Sequence, residues 1–585
     1  MKKGIYGAGA LLALALLTAG QAQAQTAPAE PNVVVRGQKP VKHPHKWVRA
    51  ESTHFVVYSD AGRPDVQVFM SKMERFWLTL RAFSHSDLDI PADTPKQVLY
   101  YLADEQALGQ IDPQYPEYAI GLYTTCADAQ TGFGVHMYYA ESPKTALEKR
   151  PENEGLSYIY QAYARDFFHR HASSSTPLWF VEGYAQYYST ARFDGNQIVV
   201  GMAPKALSIL LQRLGAGYMY SLDYADVLVG NDSDGQNQAG VAGLRNEFEA
   251  RSWVLTHWIL SNKDNLAHFQ AYLKLVDAGQ DRVKAFKTAF NLTPGGLNHI
   301  LWIYVRKLEA LKLEVKAVPD PDIAVAQMPV SAERLLMTEA ALKACPSEAR
   351  GQTLLKTARD EAAKYPGDAY AQAVLARAEA TFGDAGQAVT ILDSLIATAP
   401  EDATLRALKG SALLRLGKAT DAVAAFDKAG GLAPKSPEIA YGFSLAEAQL
   451  AGGFDADAAS AAVAAYLYAP EVEAYAWRAG LAYAWLGQAD DAAAALHMVA
   501  DNPRPGPLAP QARSWLTKLG AASKAELSAA ASAPLPTTPK VAVTAREDWT
   551  YASADVLQAL DQAVANEAAA AIIDDSDPDF AKNHP

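Results

Sequence analysis

Prolines recur at nearly constant intervals through the second half of this 585-residue chain. Successive prolines are separated by 34, 34, 36 and 33 residues. A sequence period of about 20 to 50 residues indicates an array of stacked supersecondary units. One such unit cannot bury its apolar face alone, so neighbouring units must stack. The prolines that set the period are Pro366, Pro400, Pro434, Pro470 and Pro503.

Two segments show the residue pattern inside one unit. In LRALKGSALLRLGKATDAVAAFDKAGGLAP, the small, small, aromatic and proline positions are Gly410, Ala422, Phe426 and Pro434. In AYAWRAGLAYAWLGQADDAAAAL, the matching residues are Gly480, Tyr483 and Ala492. Period and pattern together resemble tetratricopeptide repeats, whose small residues let the two helices of a pair approach closely. We expect roughly four units over residues 335–520, forming an all-α solenoid with a concave face that binds a protein or peptide.

The N-terminus predicts export. Lys2 and Lys3 precede the apolar run ALLALALLTAG, and small residues offer a cleavage site after Ala24, as in a secretory signal peptide. The mature protein is therefore expected in the periplasm or outside the cell, beginning with a flexible lead-in over residues 25–45. No later stretch has the roughly 18 uninterrupted apolar residues of a membrane helix, so no stable membrane insertion is expected.

Charge and composition narrow the partners. The formal net charge of -13 and the isoelectric point near 5.5 argue against nucleic acid, because phosphate binding needs a basic surface. Residues 521–585 are rich in Ala, Pro and Thr and are expected to form a low-complexity linker and tail, in which residues 553–568 could add one helix.

Two cysteines, Cys126 and Cys345, lie in different predicted domains. An oxidising compartment would permit a disulfide between them. Two distant thiols do not establish one, so their redox state stays open.

Residues 46–315 have the pattern of an α+β domain. Up to residue 145, strand-like runs such as STHFVVYSD, KQVLYYLA and AIGLYTT alternate with one long helical segment, DVQVFMSKMERFWLTLRAF. From there to about residue 315, the pattern is almost wholly helical. We expect a small mixed sheet followed by a helical subdomain.

One acidic residue in that subdomain needs an explanation. The segment TPLWFVEGYAQYYS begins like a helix, with Thr176 as a capping hydroxyl and Pro177 at the first helical position. Glu182 lies within its apolar, aromatic run. A buried carboxylate requires a cation, a metal or a hydrogen-bonding partner.

The segment resembles the third-ligand helix of gluzincin metallopeptidases, the thermolysin-like zinc peptidases, in their peptidase-MA-like branch. That resemblance covers residues 46–315 and implies a zincin-like fold in which Glu182 is the retained zinc-ligand position. The family's zinc helix carries H-E-x-x-H, but none of the 12 histidines here is followed by glutamate. The amphipathic helix LSYIYQAYARDFFHRH stands in its place. Aligning the two puts Gln161-Ala162-Tyr163-Ala164-Arg165 on the motif, with Arg165 the required 17 residues before Glu182.

These departures predict a site without zinc chemistry. Gln161 and Arg165 replace the two histidines, and Ala162 replaces the general base. Glutamine is a poor zinc ligand, and arginine stays protonated. Glu249 also stands where the family often has tyrosine. We expect no catalytic residue, metal or cofactor, and predict that the Arg165 guanidinium takes the Glu182 carboxylate with two hydrogen bonds.

Other ligands do not rescue a metal site in this reading. His257, inside SWVLTHWIL, is predicted to be a core histidine with satisfied hydrogen bonds. Three functions therefore compete: a non-catalytic peptidase-like domain joined to partner-binding repeats, an active metallopeptidase with non-standard ligands, and a purely structural repeat scaffold capped by the N-terminal domain. The sequence favours the first.

Overall fold

A computed structural model describes most of the chain. It covers residues 47–83, 96–103, 107–111, 119–126, 129–135, 154–171, 176–194, 196–204, 207–216, 222–230, 238–314, 320–500, 506–534 and 549–551. The predicted signal peptide, the lead-in and the possible helix at 553–568 lie outside these residues.

Ten strands form two sheets. The strands are β1 Val48–Glu51, β2 Phe55–Ser59, β3 Gln97–Leu102, β4 Ala119–Cys126, β5 Ala129–Val135, β6 Arg192–Asp194, β7 Gln197–Val200, β8 Leu311–Glu314, β9 Ala324–Gln327 and β10 Trp549–Tyr551. The larger sheet has the order β10-β4-β5-β3-β2-β1-β9. Its β2–β3 and β3–β5 pairs are parallel, and its other pairs are antiparallel. The predicted small mixed sheet is thus confirmed.

The helices of the first half surround this sheet. They are α1 Arg63–Phe83, α2 Leu108–Ile111, α3 Glu154–His171, α4 Leu178–Ser189, α5 Ser208–Gly215, α6 Tyr224–Val229, α7 Gln238–Leu260, α8 Lys263–Asp277, α9 Arg282–Phe290 and α10 Pro294–Tyr304. A turn of 3₁₀ helix follows at Val305–Lys307. The almost wholly helical pattern expected after residue 145 was incomplete, because β6, β7 and β8 form a second antiparallel sheet there.

The second half consists of helices packed in series as antiparallel-type pairs. They are α11 Ala332–Lys343, α12 Glu348–Ala362, α13 Ala369–Phe382, α14 Ala385–Thr398, α15 Ala403–Arg415, α16 Ala419–Leu432, α17 Pro437–Ala451, α18 Ala456–Tyr468, α19 Glu473–Leu486, α20 Ala489–Ala500, α21 Ala509–Lys518 and α22 Lys524–Ser532. The pairs from α13/α14 to α19/α20 begin 34, 34 and 36 residues apart. Four units of tetratricopeptide type are therefore present, with a further helix pair at each end.

Small residues make the close contacts inside this solenoid. A Cβ atom added at Gly410 would lie 2.6 Å from the ring of Phe426, and one at Gly442 would lie 2.3 Å from the same ring. A Cβ at Gly480 would lie 2.6 Å from Leu496. The expectation that these positions must be small is confirmed, because any side chain there would push the helices apart.

The large sheet is a layer with a core on each face. Side chains alternate along a strand, so β3 sends Leu99 and Tyr101 to one side and Tyr100 and Leu102 to the other. The first side packs on a helical core that includes α1, α3, α4 and α7. The second side packs on α11, α12 and α13. Burial on both faces explains why β3 reads as a continuous apolar run.

A disulfide between Cys126 and Cys345 joins β4 to the turn after α11, across 219 residues of chain. The sequence left this bond open, and the structure forms it. None of the helices that the structure describes combines the length and apolar character needed to cross a membrane.

Candidate functional site

Helix α4 carries Glu182 through the centre of the helical subdomain. It packs between α3 and α7, and every residue from Trp179 to Ser189 is buried. The helix begins at Leu178, with Pro177 at the N-cap position and no side-chain cap. The predicted capping role of Thr176 was therefore wrong. Proline at that position still suits a helix start, because its missing N–H leaves no donor unsatisfied.

Arg165 and Glu182 form a two-point ion pair between α3 and α4. Nε of Arg165 donates to Oε1 of Glu182 at 2.9 Å, and Nη2 donates to Oε2 at 2.6 Å. Arg165 is 9% exposed and Glu182 is 5% exposed. The predicted contact is confirmed, in the parallel fork geometry that suits a guanidinium and a carboxylate.

The other motif positions lie on the same buried helix. Gln161 and Ala162 are each 6% exposed, and Tyr163 and Ala164 belong to the apolar core. Ala162 has no group that could take a proton, and the guanidinium of Arg165 has no lone pair for a metal. This donor set does not fit zinc, which requires His, Cys or carboxylate ligands. Within the described ranges, no group of three or more His, Cys, Asp and Glu is placed to hold a metal ion.

Further polar contacts extend from this pair along α4 and α7. The Gln186 amide donates to Glu249 at 2.9 Å, so the carboxylate at the position expected to be tyrosine in the family bonds to α4. Arg251 donates to Glu247 at 2.9 Å, and Glu247 also accepts from the backbone N–H of Leu222. These buried and half-buried groups make a polar layer inside an otherwise apolar bundle, and each contact compensates part of the cost of burial.

His257 is a core histidine with both ring nitrogens in contact with oxygen. Nδ1 lies 2.7 Å from the Tyr304 hydroxyl, and Nε2 lies 3.0 Å from the carbonyl of Gly201. Burial lowers the pKa of His257 to about 4, so the ring is neutral at pH 7. The structural assignment made from sequence is confirmed.

The second candidate site is the inner face of the solenoid, formed by the first helices of successive pairs. From α11 to α17 these first helices pack on one another. Second helices of successive pairs make no comparable contact within the described residues. The row of first helices therefore lies on the inside of the curve. We call the surface of α13, α15, α17 and α19 the inner face.

The chain itself covers part of the inner face. The large sheet packs on α11 and α13, and β4 contacts α19. Helix α22 packs on α17 and α19. The sequence assigned residues 521–585 to a linker and tail, so this helix was missed, as was the pairing of β10 with β4. The Ala- and Ser-rich composition of α22 hid two buried residues, Leu527 and Ala531.

No protein-family model and no curated protein matches the chain. Some solved structures resemble part of it. One is MamA from Desulfovibrio magneticus RS-1, 19% identical, covering 28% of this chain and 90% of its own length with a TM-score of 0.22. Another is YrrB, described as a tetratricopeptide-repeat protein with an unusual peptide-binding site, 17% identical, covering 31% of this chain and 92% of its own with a TM-score of 0.23. With TM-scores this low, the repeat assignment depends on the chain's own period and geometry.

Proposed function

We propose that this chain is an exported, non-catalytic peptidase-like protein that binds protein or peptide partners through its repeats and its vestigial cleft. The observation that carries the non-catalytic part is Arg165, which stands at a zinc-ligand position of the resembling family and bonds to Glu182 with both arms. A fixed cation replaces the metal ion as the partner of that carboxylate. The site keeps its electrostatic balance without the means to activate water.

Export is part of the proposal. It rests on the signal-peptide pattern of residues 1–24, and the Cys126–Cys345 disulfide fits an oxidising compartment. A periplasmic or secreted location would also place the repeats among envelope or extracellular proteins, which are the partners to be sought.

Helix α15 offers the open part of the inner face. Its Gly410 packs on α16, and its Leu405 and Ala412 share a core with residues of α14. Thr404 and Ser411 are exposed and lie seven residues apart, on the remaining side of the helix. We infer that a peptide or helix contacts the solenoid here, between the part covered by the sheet and the part covered by α22.

A matched pair of serine substitutions tests this binding surface. Ser411→Arg places a bulky cation on the inner face of α15, whereas Ser394→Arg makes the same change at an exposed position of α14. Partners captured from an extract of the source organism's periplasm should be lost with Ser411→Arg and retained with Ser394→Arg. Equal capture by both variants would place partner binding elsewhere.

Metal analysis tests the non-catalytic part. The purified protein should contain no stoichiometric zinc, and the triple variant Gln161→His, Ala162→Glu, Arg165→His should gain zinc affinity because it restores the family's ligands and base. One tightly bound zinc per wild-type chain that is lost with Glu182→Ala would instead support an active metallopeptidase.

The scaffold alternative has a specific observation in its favour. The repeats share a continuous core with the sheet through residues such as Tyr100, Phe133 and Leu336, which suits an N-terminal domain that only caps the solenoid. Cross-linking of a captured partner followed by mass spectrometry separates the two. Cross-links to residues 46–315 as well as to the repeats support the proposal, and cross-links confined to residues 335–520 support the scaffold.

A further inference from the structure

Helix α22 sits on the inner face in the manner of a bound ligand. The chain leaves the array through α21, which packs on α20, and then folds back so that α22 contacts α17 and α19. Leu527 is 3% exposed and Ala531 is 4% exposed. They share one core with three residues of the solenoid, Phe454, Trp477 and Leu481.

The turn between α17 and α18 is shaped for this helix. The second helix begins 19 residues after the first in this pair, and 16 residues after it in the other three. The longer turn contains Gly453 and Phe454. A Cβ atom at Gly453 would lie 2.6 Å from Cβ of Ser528, so only glycine admits α22 at this distance. The irregular interval of 36 residues between prolines thus marks the place where α22 docks.

Arg478 of α19 reads the C-terminal end of α22. Its Nη1 donates to the carbonyl of Ala531 at 2.8 Å, while Nε and Nη2 donate to the side chain and the carbonyl of Ser444, each at 2.7 Å. The guanidinium also lies 5.3 Å from the ring centre of Phe454. These hydrogen bonds go to neutral oxygens, and the carbonyls at a helix C-terminus carry a partial negative charge. Burial lowers the pKa of Arg478 to about 10, so the cation depends on such compensation.

We propose that Gly453, Phe454, Arg478 and Leu481 form a helix-binding seat on the inner face, which α22 occupies in cis and which a partner helix of the same chemistry can take. The ligand is the C-terminal turn of a short helix with leucine and small residues on one face. This deepens the proposed function, since it rests on the repeats being a protein-binding array. A nine-residue helix is barely stable alone, so α22 is helical because the seat holds it.

Displacement of α22 can be measured with the full chain and its own segment as the probe. A fluorescent peptide with the sequence of residues 521–534 competes with a tethered copy of itself, whose effective concentration is on the order of millimolar. Ala531→Asp in the chain puts a charge into the seat and unseats the tethered helix. Ala529→Asp makes the same change at an exposed position of α22. Fluorescence anisotropy should show the peptide binding the Ala531→Asp chain about ten-fold more tightly, or better, than the wild-type or Ala529→Asp chain.

Two further arms locate the binding. Adding Gly453→Leu to the Ala531→Asp chain should abolish peptide binding, because the new side chain fills the space of Ser528. A peptide with Leu527→Asp should not bind any variant. Equal peptide affinity for the Ala531→Asp and Ala529→Asp chains, both folded by circular dichroism, would overturn the proposal. Partner capture that depends on Ser411 but not on the seat would leave the proposed function standing while this inference fails.

Hydrogen exchange on the wild-type chain covers the case in which Ala531→Asp misfolds. If α22 is an exchangeable occupant, its amides should exchange through local opening about ten-fold or more faster than the buried amides of α19. Identical protection of α22 and α19 would mean that the helix leaves only on global unfolding, and the proposal would be wrong.

Discussion

The guanidinium of Arg165 and the carboxylate of Glu182 are each charged groups removed from most of their water. Their two hydrogen bonds of 2.9 and 2.6 Å offset a desolvation cost of several kcal/mol for each ion. Such a pair adds little net stability compared with two apolar residues of similar volume. Losing one member, however, leaves a charge in the core.

The first prediction follows from that asymmetry. Arg165→Met and Glu182→Leu should each destabilise the N-terminal domain by about 3–5 kcal/mol, and the double variant should recover much of the loss. Denaturant unfolding of the wild type and the three variants gives the coupling energy. Losses that add without coupling would mean that the pair contributes nothing as a unit, and Glu182 would need another explanation.

His257 predicts a pH dependence of stability. In the unfolded chain its pKa is about 6.5, and in the folded protein it is about 4, because burial disfavours the imidazolium. Protons therefore bind the unfolded state first, so stability is full above pH 6.5 and falls as the pH drops towards 4. Between pH 7.5 and pH 5 this group should remove about 2 kcal/mol. Calorimetry of His257→Asn should show a shallower fall than wild type below pH 6.5, with equal slopes above it; parallel curves throughout would contradict the assignment.

At the residue scale, sequence reasoning succeeded where spacing carried the information. Residue types 17 apart on two helices were enough to place Arg165 against Glu182, because the resemblance supplied the relative position of the helices. It failed at Thr176, where a hydroxyl before a proline suggested a cap that the backbone does not use. It could not see Arg478, because one arginine in an alanine-rich helix has no partner in the local sequence.

Among elements, the crossing of α4 and α7 depends on Gly183. A Cβ atom there would lie 2.1 Å from Oγ1 of Thr256 and 2.4 Å from the carbonyl oxygen of Ser252. Gly183→Ala should therefore destabilise the domain by about 1–3 kcal/mol, despite the better helix propensity of alanine. Gly295→Ala in α10 is the matched control, because nothing lies within 4 Å of its added Cβ. Thermal unfolding should show a lower midpoint for the first variant only; equal midpoints would mean that the two helices separate without cost.

Elements with a strong period were predictable and short paired ones were not. The seven buried residues of α1 fall on one helical face and identify the helix from sequence alone: Val66, Phe69, Met70, Met73, Phe76, Trp77 and Leu80. By contrast, β7 has four residues and pairs with β8 more than a hundred residues later. No local pattern encodes that pairing. Helix α22 was missed because its apolar face is two residues wide and becomes meaningful only against α17 and α19.

The whole molecule is a sheet held between a helical subdomain and a curved helical array. Tyr100 and Phe133 on the repeat side of the sheet belong to the same core as Leu335 and Leu336 of α11. Sequence analysis drew a boundary between residues 315 and 335, yet β9 at Ala324–Gln327 pairs with β1 and continues the sheet into that interval. The two halves therefore share a core that neither half's sequence pattern could reveal.

The last prediction concerns the bond that closes this arrangement. The Cys126–Cys345 disulfide removes a loop of 219 residues from the unfolded ensemble, and the loop-entropy estimate for that length is about 5 kcal/mol. The double variant Cys126→Ser, Cys345→Ser should unfold at a clearly lower denaturant concentration than wild type under oxidising conditions. In reductant the two proteins should unfold at nearly the same concentration, which separates loss of the bond from damage to the core. A protease site inserted between residues 320 and 324 adds a covalent test, because the cut chain should stay joined on a non-reducing gel and separate on a reducing one. Separation without reductant would show that these thiols are not bonded in the exported protein.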